Sequence, residues 1–307
     1  MKIKNILIVG GNGKIGKILA EYLRLKFNVF IIDKKKSKNN YKKNIKFIKY
    51  NLLTKKEIQI KNKIDIVLFL AGYTGGPESS HLKNFKTYMD FNCEILINFL
   101  ERTKNLKIKK LVFASTEHVY GDQEKRVYKT DITEPMPKNY YGVSKLFAEK
   151  ILYDFCIKTS VSVDILRFPR VIFDDDNNLI STMIKDAISK RKIILKDTNT
   201  KFNFLHIKDL LKAFTTCLIA KDSGFRIFNV FNNSEPLGLN DIAKYIKKKI
   251  DNVKIVKFKN NNNQTHNPKY LKLNISFTKK KLKWKPLFNN IKIINELIKK
   301  HEIKEYN

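Results

Sequence analysis

A glycine-rich turn near the start of the chain constrains its fold more than any other feature. The apolar segment 4–10 predicts a buried strand, and an amphipathic pattern predicts a helix over 15–25. Between them lies the sequence GGNGKIG at positions 10–16, with glycines at 10, 13 and 16. A strand, a sharp glycine turn and a helix in this order are typical of the first unit of a dinucleotide-binding α/β sheet.

The turn suits a pyrophosphate, since a backbone without Cβ atoms can approach it closely. The N-terminus of the following helix offers N–H groups and the positive end of a dipole to the phosphates. The predicted phosphate-binding residues are Gly10, Gly13, Lys14, Ile15 and Gly16.

The end of the second predicted strand bears on the choice of dinucleotide. This strand, 27–33, ends at Asp33, where a carboxylate accepts hydrogen bonds from an adenosine ribose 2′-hydroxyl. A carboxylate repels the 2′-phosphate of NADP, so Asp33 favours NAD. Lys34, Lys35 and Lys36 follow directly and would attract such a phosphate. The prediction is therefore NAD, with NADP left open.

Strands and helices alternate over the first half of the chain, which predicts a Rossmann-type, doubly wound parallel sheet. Further strands are predicted at 45–50, 64–71, 110–115 and 163–167, and helices at 85–103 and 139–157. After Arg170 the pattern is irregular, with helices at 179–190, 209–220 and 239–250, strands at 193–195 and 227–230, and an exposed loop at 257–267. We expect a cofactor-binding domain over 1–172 and a smaller α+β substrate-binding part over 173–307, with segments near 202–231 returning to the first domain.

Composition excludes several classes of protein. Hydrophobic residues make up 43% of the 307, enough to fill a core, so global disorder is excluded. No apolar run approaches the ~18 residues of a membrane helix, and the apolar stretch 6–9 is too short for a signal peptide. The three cysteines show no metal-binding spacing. We expect a cytoplasmic protein with neither a metal site nor a membrane partner.

The formal net charge of +33 does not by itself indicate nucleic-acid binding. Of the 62 basic residues, 55 are lysines, and they are spread along the whole chain. Phosphate-reading surfaces usually gather arginines, whose planar fork binds phosphate with two hydrogen bonds. We therefore expect no nucleic-acid partner, while an anionic substrate would benefit from this charge.

A YxxxK pair on a predicted helix is the candidate catalytic element. Tyr141 and Lys145 lie on one helix face, where the ammonium would lower the phenol pKa so that it can act as acid or base. The motif occurs three times in this tyrosine- and lysine-rich chain, so the candidate copy has to be chosen by its position in the predicted fold. Only this copy follows a strand ending at Ser115-Thr116, at the edge where α/β sheets bind ligands. Thr116 adds a hydroxyl for a substrate oxygen.

Several motifs together resemble the extended short-chain dehydrogenases/reductases, in the NAD-dependent epimerase/dehydratase branch that acts on nucleotide sugars. The resemblance covers nearly the whole chain. It rests on the three glycines, Leu70-Ala71, 113–121 ending in VYG, Tyr141 to Lys145 with Glu149, HIKD at 206–209, and LKWKP at 282–286.

The resemblance implies roles for these residues. Tyr141 exchanges a proton with a substrate hydroxyl while the same carbon exchanges hydride with the nicotinamide; Lys145 holds the cofactor ribose, and Thr116 binds the reacting oxygen. The remaining cofactor contacts that it implies are Asn51, Leu52, Leu70, Ala71, Gly72 and Asn92. It also implies a homodimer that pairs through the helices predicted at 85–103 and 139–157.

The reaction is less well defined than the family. An epimerase of a nucleotide-activated sugar is our first expectation, and a ketoreductase of a nucleotide-linked keto-sugar is an alternative. A 4,6-dehydratase is disfavoured because Glu117 and His118 stand where that class has Asp-Glu after the threonine. A non-catalytic dinucleotide sensor is the alternative from another class.

The resemblance also shows where the predicted substrate site departs from the family pattern. The two arginines that commonly hold the substrate diphosphate are replaced by Phe202 and Gln264, and an asparagine after the sixth strand is Arg170. Arg170 and Lys201 are the cations available to replace them. The predicted substrate-binding residues are thus Glu117, His118, Arg170 and Lys201.

Overall fold

A computed structural model describes most of the chain and divides it into two compact units. The described residues are 3–37, 41–54, 56–75, 82–121, 123, 127–130, 132–173, 178–196, 201–221, 223–258 and 270–305. The first unit contains Met1–Val119, Pro137–Arg167 and Phe214–Phe228; the second contains Tyr120–Met136, Phe168–Ala213 and Asn229–Asn307. That the first unit binds the cofactor and the second the substrate stays a prediction.

The strands in chain order are β1 (Asn5–Val9), β2 (Asn28–Asp33), β3 (Ile45–Lys49), β4 (Ile66–Phe69), β5 (Lys110–Thr116), β6 (Ser162–Phe168), β7 (Arg170–Ile172), β8 (Lys192–Lys196), β9 (Lys201–Phe202), β10 (Phe204–His206), β11 (Phe225–Asn229), β12 (Leu237–Gly238) and β13 (Lys254–Phe258). The α-helices are α1 (Lys14–Leu23), α2 (Phe85–Met89), α3 (Ile95–Arg102), α4 (Tyr140–Lys158), α5 (Leu179–Lys190), α6 (Ile207–Ile219), α7 (Leu239–Lys249), α8 (Ser276–Leu282) and α9 (Asn290–Glu305). A π-helical turn, Asp90–Glu94, joins α2 to α3.

A seven-stranded sheet forms the centre of the first unit, in the order β11-β6-β5-β4-β1-β2-β3. The pairings of β1 with β2 and β4, of β2 with β3, and of β4 with β5 are parallel. The strand order reverses between β1 and β4, and the crevice beyond the carboxyl ends of strands at such a point is where doubly wound sheets bind ligands. The predicted Rossmann-type sheet is confirmed.

The core of this unit explains why the strands read as continuous apolar runs in the sequence. Leu7, Val67 and Leu111, from β1, β4 and β5, have no exposed surface, and the helical residues Leu96 and Leu152 pack in the same cluster. A parallel sheet that is covered on both faces needs apolar side chains on both. The burial of these side chains therefore fixes the positions of the strands that carry the site residues.

The second unit has its own apolar core and short strand pairs. Ile184 of α5, Ile246 of α7 and Ile294 of α9 are fully buried in one cluster. The pairs in this unit are β7 with β10, β9 with β12, and β8 with β13. The loop expected at 257–267 in fact begins inside a strand, because Lys257 and Phe258 end β13 and pair with β8; residues 259–267 lie outside the described residues.

Two negative findings apply to the described residues alone. None of their helices combines the length and apolar character needed to cross a bilayer. They also contain no cluster of three or more His, Cys, Asp or Glu side chains arranged to hold a metal ion.

Candidate active site

The glycine turn after β1 is closed so tightly that side chains would not fit. Gly10 has a φ of +80°, and a Cβ there would lie 2.6 Å from the backbone nitrogen of Ala71. A Cβ on Gly16 would lie 2.6 Å from the carbonyl oxygen of Gly10. Gly13 is the N-cap of α1, so Lys14 and Ile15 form its first turn. This backbone cradle at a helix N-terminus fits a dinucleotide pyrophosphate.

The carboxylate of Asp33 is fixed beside this turn. Its Oδ2 accepts a hydrogen bond of 3.0 Å from the Asn12 backbone N–H, and its Oδ1 accepts one of 3.2 Å from the Lys35 N–H. Each carboxylate oxygen has a further lone pair for a hydroxyl donor. The end of β2 therefore offers an oriented acceptor, as a ribose site requires.

The segment after β4 meets the catalytic helix through Asn92. A Cβ on Gly72 would lie 2.8 Å from Asn92 Oδ1 and 3.8 Å from Lys145 Nζ. Leu70 and Ala71 precede it, with the Leu70 N–H bonded to the Val9 carbonyl at 2.9 Å. Predicted cofactor residues from β4, the π-helical turn and α4 thus come together. The remaining two, Asn51 and Leu52, lie in the turn after β3, where Asn51 Oδ1 accepts from the Leu53 N–H at 3.2 Å.

The predicted catalytic residues meet at the carboxyl end of β5. Tyr141 and Lys145 lie on α4, and the Tyr141 phenol is hydrogen-bonded to the Thr116 side chain. Burial raises the Tyr141 pKa to about 12, with smaller increases from Tyr88 and Glu117, and the Thr116 hydrogen bond opposes them. We expected Lys145 to lower this pKa, so desolvation reverses the expected direction.

Lys145 is 5% exposed, and burial lowers its pKa to about 7. The charges of Glu149 and Cys93 oppose this shift. Its ammonium lies 4.0 Å from the centroid of the Phe113 ring. Burial thus favours the neutral form of both groups, since it raises the pKa of the Tyr141 phenol and lowers the pKa of the Lys145 amine.

A buried polar network connects to the candidate catalytic residues. Glu149 accepts hydrogen bonds from Ser115 Oγ and, at 3.1 and 2.6 Å, from the guanidinium of Arg167. Glu149 and Arg167 are each 2% exposed. Because Ser115 precedes Thr116 and Glu149 lies one turn after Lys145, the network fixes α4 against β5. The network can therefore keep Tyr141 and Lys145 in register with Thr116.

The two residues after Thr116 are both at the site. Glu117 is 8% exposed and close enough to Tyr141 to raise the pKa of its phenol. His118 lies edge-on to the Tyr141 ring, with 5.7 Å between ring centroids. His118 Nδ1 is 3.1 Å from Asn139 Nδ2, and Asn139 Oδ1 caps α4 by accepting from the Gly142 N–H at 2.8 Å. This cap assigns Nδ1 as an acceptor, so the neutral ring carries its proton on Nε2.

The predicted diphosphate-binding cations lie in the second unit. The Arg170 guanidinium is 5.6 Å from the centroid of the Phe202 ring, and Lys201 Nζ is 5.7 Å from that of Tyr270. Lys201 also contributes to lowering the pKa of the Glu235 carboxyl, after Lys272 and Tyr270. Arg170 therefore lies beside Phe202, the residue that replaces one of the two arginines, while Lys201 lies close enough to the Glu235 carboxyl to help lower its pKa. Gln264 lies outside the described residues.

The two remaining motifs are structural. The Asp209 carboxylate accepts hydrogen bonds from the Leu287 and Phe288 N–H groups at 2.8 and 3.1 Å. The Trp284 indole N–H donates to the Asp209 carbonyl at 3.1 Å, and Trp284 is fully buried. The HIKD and LKWKP segments thus fasten α6 to the segment before α9 inside the second unit.

Sequence reasoning missed three polar side chains in the first unit. Asn12 and Tyr41 bind each other beside Asp33, and Asn139 holds His118. Asn139 had a signal, since asparagine just before a helix is a preferred N-cap. Asn12 and Tyr41 had none, because their contact depends on how the chain after β2 turns.

Comparison with known proteins identifies the family. The NAD dependent epimerase/dehydratase family matches residues 6–230. A Dictyostelium discoideum protein named dTDP-D-glucose 4,6-dehydratase is 30% identical over 80% of this chain and 62% of its own length. The Bacillus subtilis (strain 168) protein YtcB, named an uncharacterized UDP-glucose epimerase, is 31% identical over 69% of this chain and 72% of its own. The chain thus aligns with less than two thirds of the Dictyostelium relative.

Solved structures show the same fold. MoeE5 in complex with UDP-glucuronic acid and NAD superimposes with a TM-score of 0.83 at 20% identity, over 98% of this chain and 99% of that one. The Rossmann-type fold expected from the sequence is confirmed, and the family's dependence on NAD agrees with the predicted cofactor. On the family match and its sequence relatives, the chain is a member of the NAD dependent epimerase/dehydratase family.

Proposed function

We propose that the protein is an NAD-dependent epimerase that inverts a carbon of a nucleotide-activated sugar by hydride transfer. The observation that carries this proposal is the meeting of Thr116, Tyr141 and Lys145 beside the glycine turn. A sensor that only binds a dinucleotide would not need a phenol bonded to a threonine hydroxyl at this position. In the proposed division of labour, the first unit holds the cofactor and the second binds the sugar nucleotide.

The residues of the site suit a reversible oxidation. When bound, NAD would supply a reversible hydride acceptor for the sugar carbon. Tyr141 Oη takes the proton of the sugar hydroxyl and gives it back, and Thr116 orients the reacting oxygen. Lys145 lies one helical turn from Tyr141, and its ammonium would stabilise the phenolate form. Return of proton and hydride after the keto-sugar has turned gives the epimer with no net redox change.

The arrangement of His118 argues against this residue as the additional base of a dehydration. Elimination of water needs a base near the sugar in addition to Tyr141. His118 Nδ1 accepts a hydrogen bond from Asn139, which leaves Nε2 protonated in the neutral ring. A group in this state donates to a substrate oxygen and takes no proton from it. A dehydratase is kept as the second candidate, because one relative bears that name.

The substrate class rests on the relatives and on Arg170. The relatives carry the names of UDP- and dTDP-sugar enzymes, and MoeE5 was crystallised with a UDP-sugar. Arg170 presents its guanidinium over Phe202, where the family commonly has an arginine. A planar guanidinium can bind a diphosphate with paired hydrogen bonds. We therefore propose Arg170 as the main diphosphate ligand.

Isotope incorporation distinguishes the possible reactions. The protein would be incubated in D2O with UDP-glucose, UDP-glucuronate or dTDP-glucose and no added cofactor, and products analysed by NMR and mass spectrometry. An epimerase gives an isomer of unchanged mass with no deuterium on carbon, because the hydride returns from the cofactor. A dehydratase gives a keto-sugar that has lost water and gained carbon-bound deuterium. Conversion only of keto-sugars, with added NADH or NADPH, would indicate the ketoreductase.

Tyr141→Phe is the matched control for this assay. It should lose about 10²–10⁴-fold in turnover, the usual contribution of a positioned acid–base group. The variant should still bind NAD, since it keeps the aromatic ring of Tyr141 and loses only the phenol hydroxyl. Unchanged turnover in Tyr141→Phe would contradict the proposed role of the phenol.

A further inference from the structure

A short segment after β2, residues 34–37, is tied to the glycine turn by two side chains. Asn12 Nδ2 donates a hydrogen bond of 2.5 Å to the Lys35 carbonyl. Tyr41 Oη lies 2.9 Å from Asn12 Nδ2 and 3.0 Å from Asn12 Oδ1. The same hydroxyl accepts a hydrogen bond of 3.0 Å from the Ser37 N–H. The segment is thus held at Lys35 by Asn12 and at Ser37 by Tyr41.

Tyr41 is itself held in place. Its ring stacks on Phe47 of β3, with 5.3 Å between centroids and 12° between planes. Phe47 belongs to the central sheet, so the Tyr41 hydroxyl has a fixed position relative to β2. Asn12 is equally fixed, since its backbone N–H binds the Asp33 carboxylate at 3.0 Å.

Asn12 and Tyr41, here called the clamp, hold the segment in a conformation in which two of its N–H donors already have partners. A phosphate beside an adenosine ribose needs backbone N–H donors or cations. The Lys35 N–H is bonded to Asp33, and the Ser37 N–H to Tyr41. The Lys34 ammonium lies 5.0 Å from the centroid of the Phe91 ring. The segment therefore presents the Asp33 carboxylate to a ribose, despite its run of three lysines.

We propose that Asn12 and Tyr41 set the preference of this protein for NAD over NADP. The proposal rests on the proposed function, in which the glycine turn binds a dinucleotide. With the clamp closed, Asp33 accepts from the ribose 2′-hydroxyl and repels a 2′-phosphate. With the clamp removed, the segment is free to turn its amide donors and lysines toward that phosphate. The lysine run by itself would favour NADP, so the clamp decides between the two.

Binding of the two dinucleotides tests the proposal without reference to turnover. Dissociation constants for NADH and NADPH would be measured by fluorescence at one fixed ionic strength, for the full chain and two variants. Asn12→Ala keeps the backbone N–H that binds Asp33 and removes only the clamp amide. Tyr41→Phe keeps the ring on Phe47 and removes only the hydroxyl. Tyr22→Phe is the control, because this tyrosine is 50% exposed on α1, away from the clamp.

We expect the wild type to bind NADH more tightly than NADPH. Each clamp variant should tighten NADPH binding about fivefold, roughly the value of one hydrogen bond, and change NADH binding less than about twofold. Tyr22→Phe should match the wild type. Three results would each overturn the inference. These are an unchanged ratio of the NADPH and NADH dissociation constants in both variants, an equal weakening of the binding of both dinucleotides, and a wild type without preference for NADH. A wild type that binds neither would instead contradict the proposed function on which the inference rests.

Discussion

The side-chain amide of Asn92 donates a hydrogen bond of 2.8 Å to Ser144 Oγ, joining positions 52 residues apart. Asn92 Oδ1 also accepts from the Tyr73 N–H at 2.7 Å, and Asn92 Nδ2 lies 3.0 Å from the Tyr73 carbonyl oxygen. Ser144 directly precedes Lys145. One buried amide thus connects the segment after β4 to the helix that carries the candidate catalytic pair. Asn92 lies in the π-helical turn, and such turns are often found at functional sites.

Asn92→Ala should therefore lower the free energy of unfolding and also weaken NAD binding. It removes the hydrogen bond to the Ser144 hydroxyl, and the loss of a partner costs about 1–3 kcal/mol for a buried group such as this one. Urea unfolding and NADH titration would measure the two effects. Asn98→Ala is the matched control, because the Asn98 side chain bonds to Glu94 and Arg102 of its own helical segment. If both variants bound NADH like the wild type, Asn92 would not position the cofactor site.

The pKa of Lys145 predicts a pH dependence of stability. Burial lowers this pKa from 10.5 to about 7 in the folded protein. Between these values the unfolded chain binds a proton that the folded chain does not, so raising the pH stabilises the fold. The penalty for burying Lys145 is fully present below pH 7 and disappears as the pH approaches 10.5. Lys145→Met removes this dependence.

The stability of Lys145→Met relative to the wild type should thus fall as the pH rises. The expected slope is about 1.4 kcal/mol per pH unit inside this window. Urea unfolding at pH 7.5, 8.5 and 9.5, without NAD, would measure it. Lys150→Met, which replaces an exposed lysine on the same helix, should show no slope. A flat difference for Lys145→Met would mean that the buried amine keeps its ordinary pKa.

Arg170 should act on the substrate and not on the cofactor. Losing a charge-assisted hydrogen bond to a diphosphate should raise KM for the nucleotide sugar about tenfold or more in Arg170→Ala. The kcat and the dissociation constant of NADH should change little, because the proposed role of Arg170 is to bind the substrate diphosphate. Arg191→Ala, at an exposed arginine of that same unit, is the control. Equal KM values for the two variants would remove Arg170 from the substrate site.

The exposed apolar face of α4 bears on assembly, and we expect a homodimer paired through this helix. Phe147, Tyr153 and Ile157 of α4 are 53%, 50% and 65% exposed. Ile157→Glu should give a monomer in size-exclusion chromatography with light scattering, since a carboxylate is costly to bury. Ile219→Glu, at an isoleucine that is 71% exposed on α6, should remain dimeric. A monomeric wild type, or a dimeric Ile157→Glu, would contradict this assembly.

Much of the first unit could be predicted from sequence because its patterns are local. Buried parallel strands read as apolar runs, and the glycine turn and Asp33 occupy fixed places in the βα unit. The strands of the second unit were harder to predict. β7, β9, β10 and β12 are two or three residues long, too short for a sequence pattern, and they are defined only by their pairing. The helix α9 was missed although Ile293, Ile294, Leu297 and Ile298 show helical spacing and are buried.

The candidate site was predictable in its residues but not in its interactions. Tyr141, Lys145 and Thr116 could be chosen by motif and position, whereas the pKa of Tyr141 depends on desolvation that sequence does not reveal. The Asn12–Tyr41 clamp and the His118–Asn139 contact likewise require the folded geometry. They are the contacts that bear on cofactor choice and on reaction type.

The measurement that tests this account most directly is the identity of the dinucleotide in the purified protein. One sample of the protein would be denatured and the released nucleotide identified by mass spectrometry. If none is released, a second, native sample would be titrated with NAD. The account predicts NAD in a one-to-one ratio with the chain, held through repeated turnovers as a self-contained redox cycle requires. A protein that neither releases nor binds NAD would contradict the proposed catalytic function.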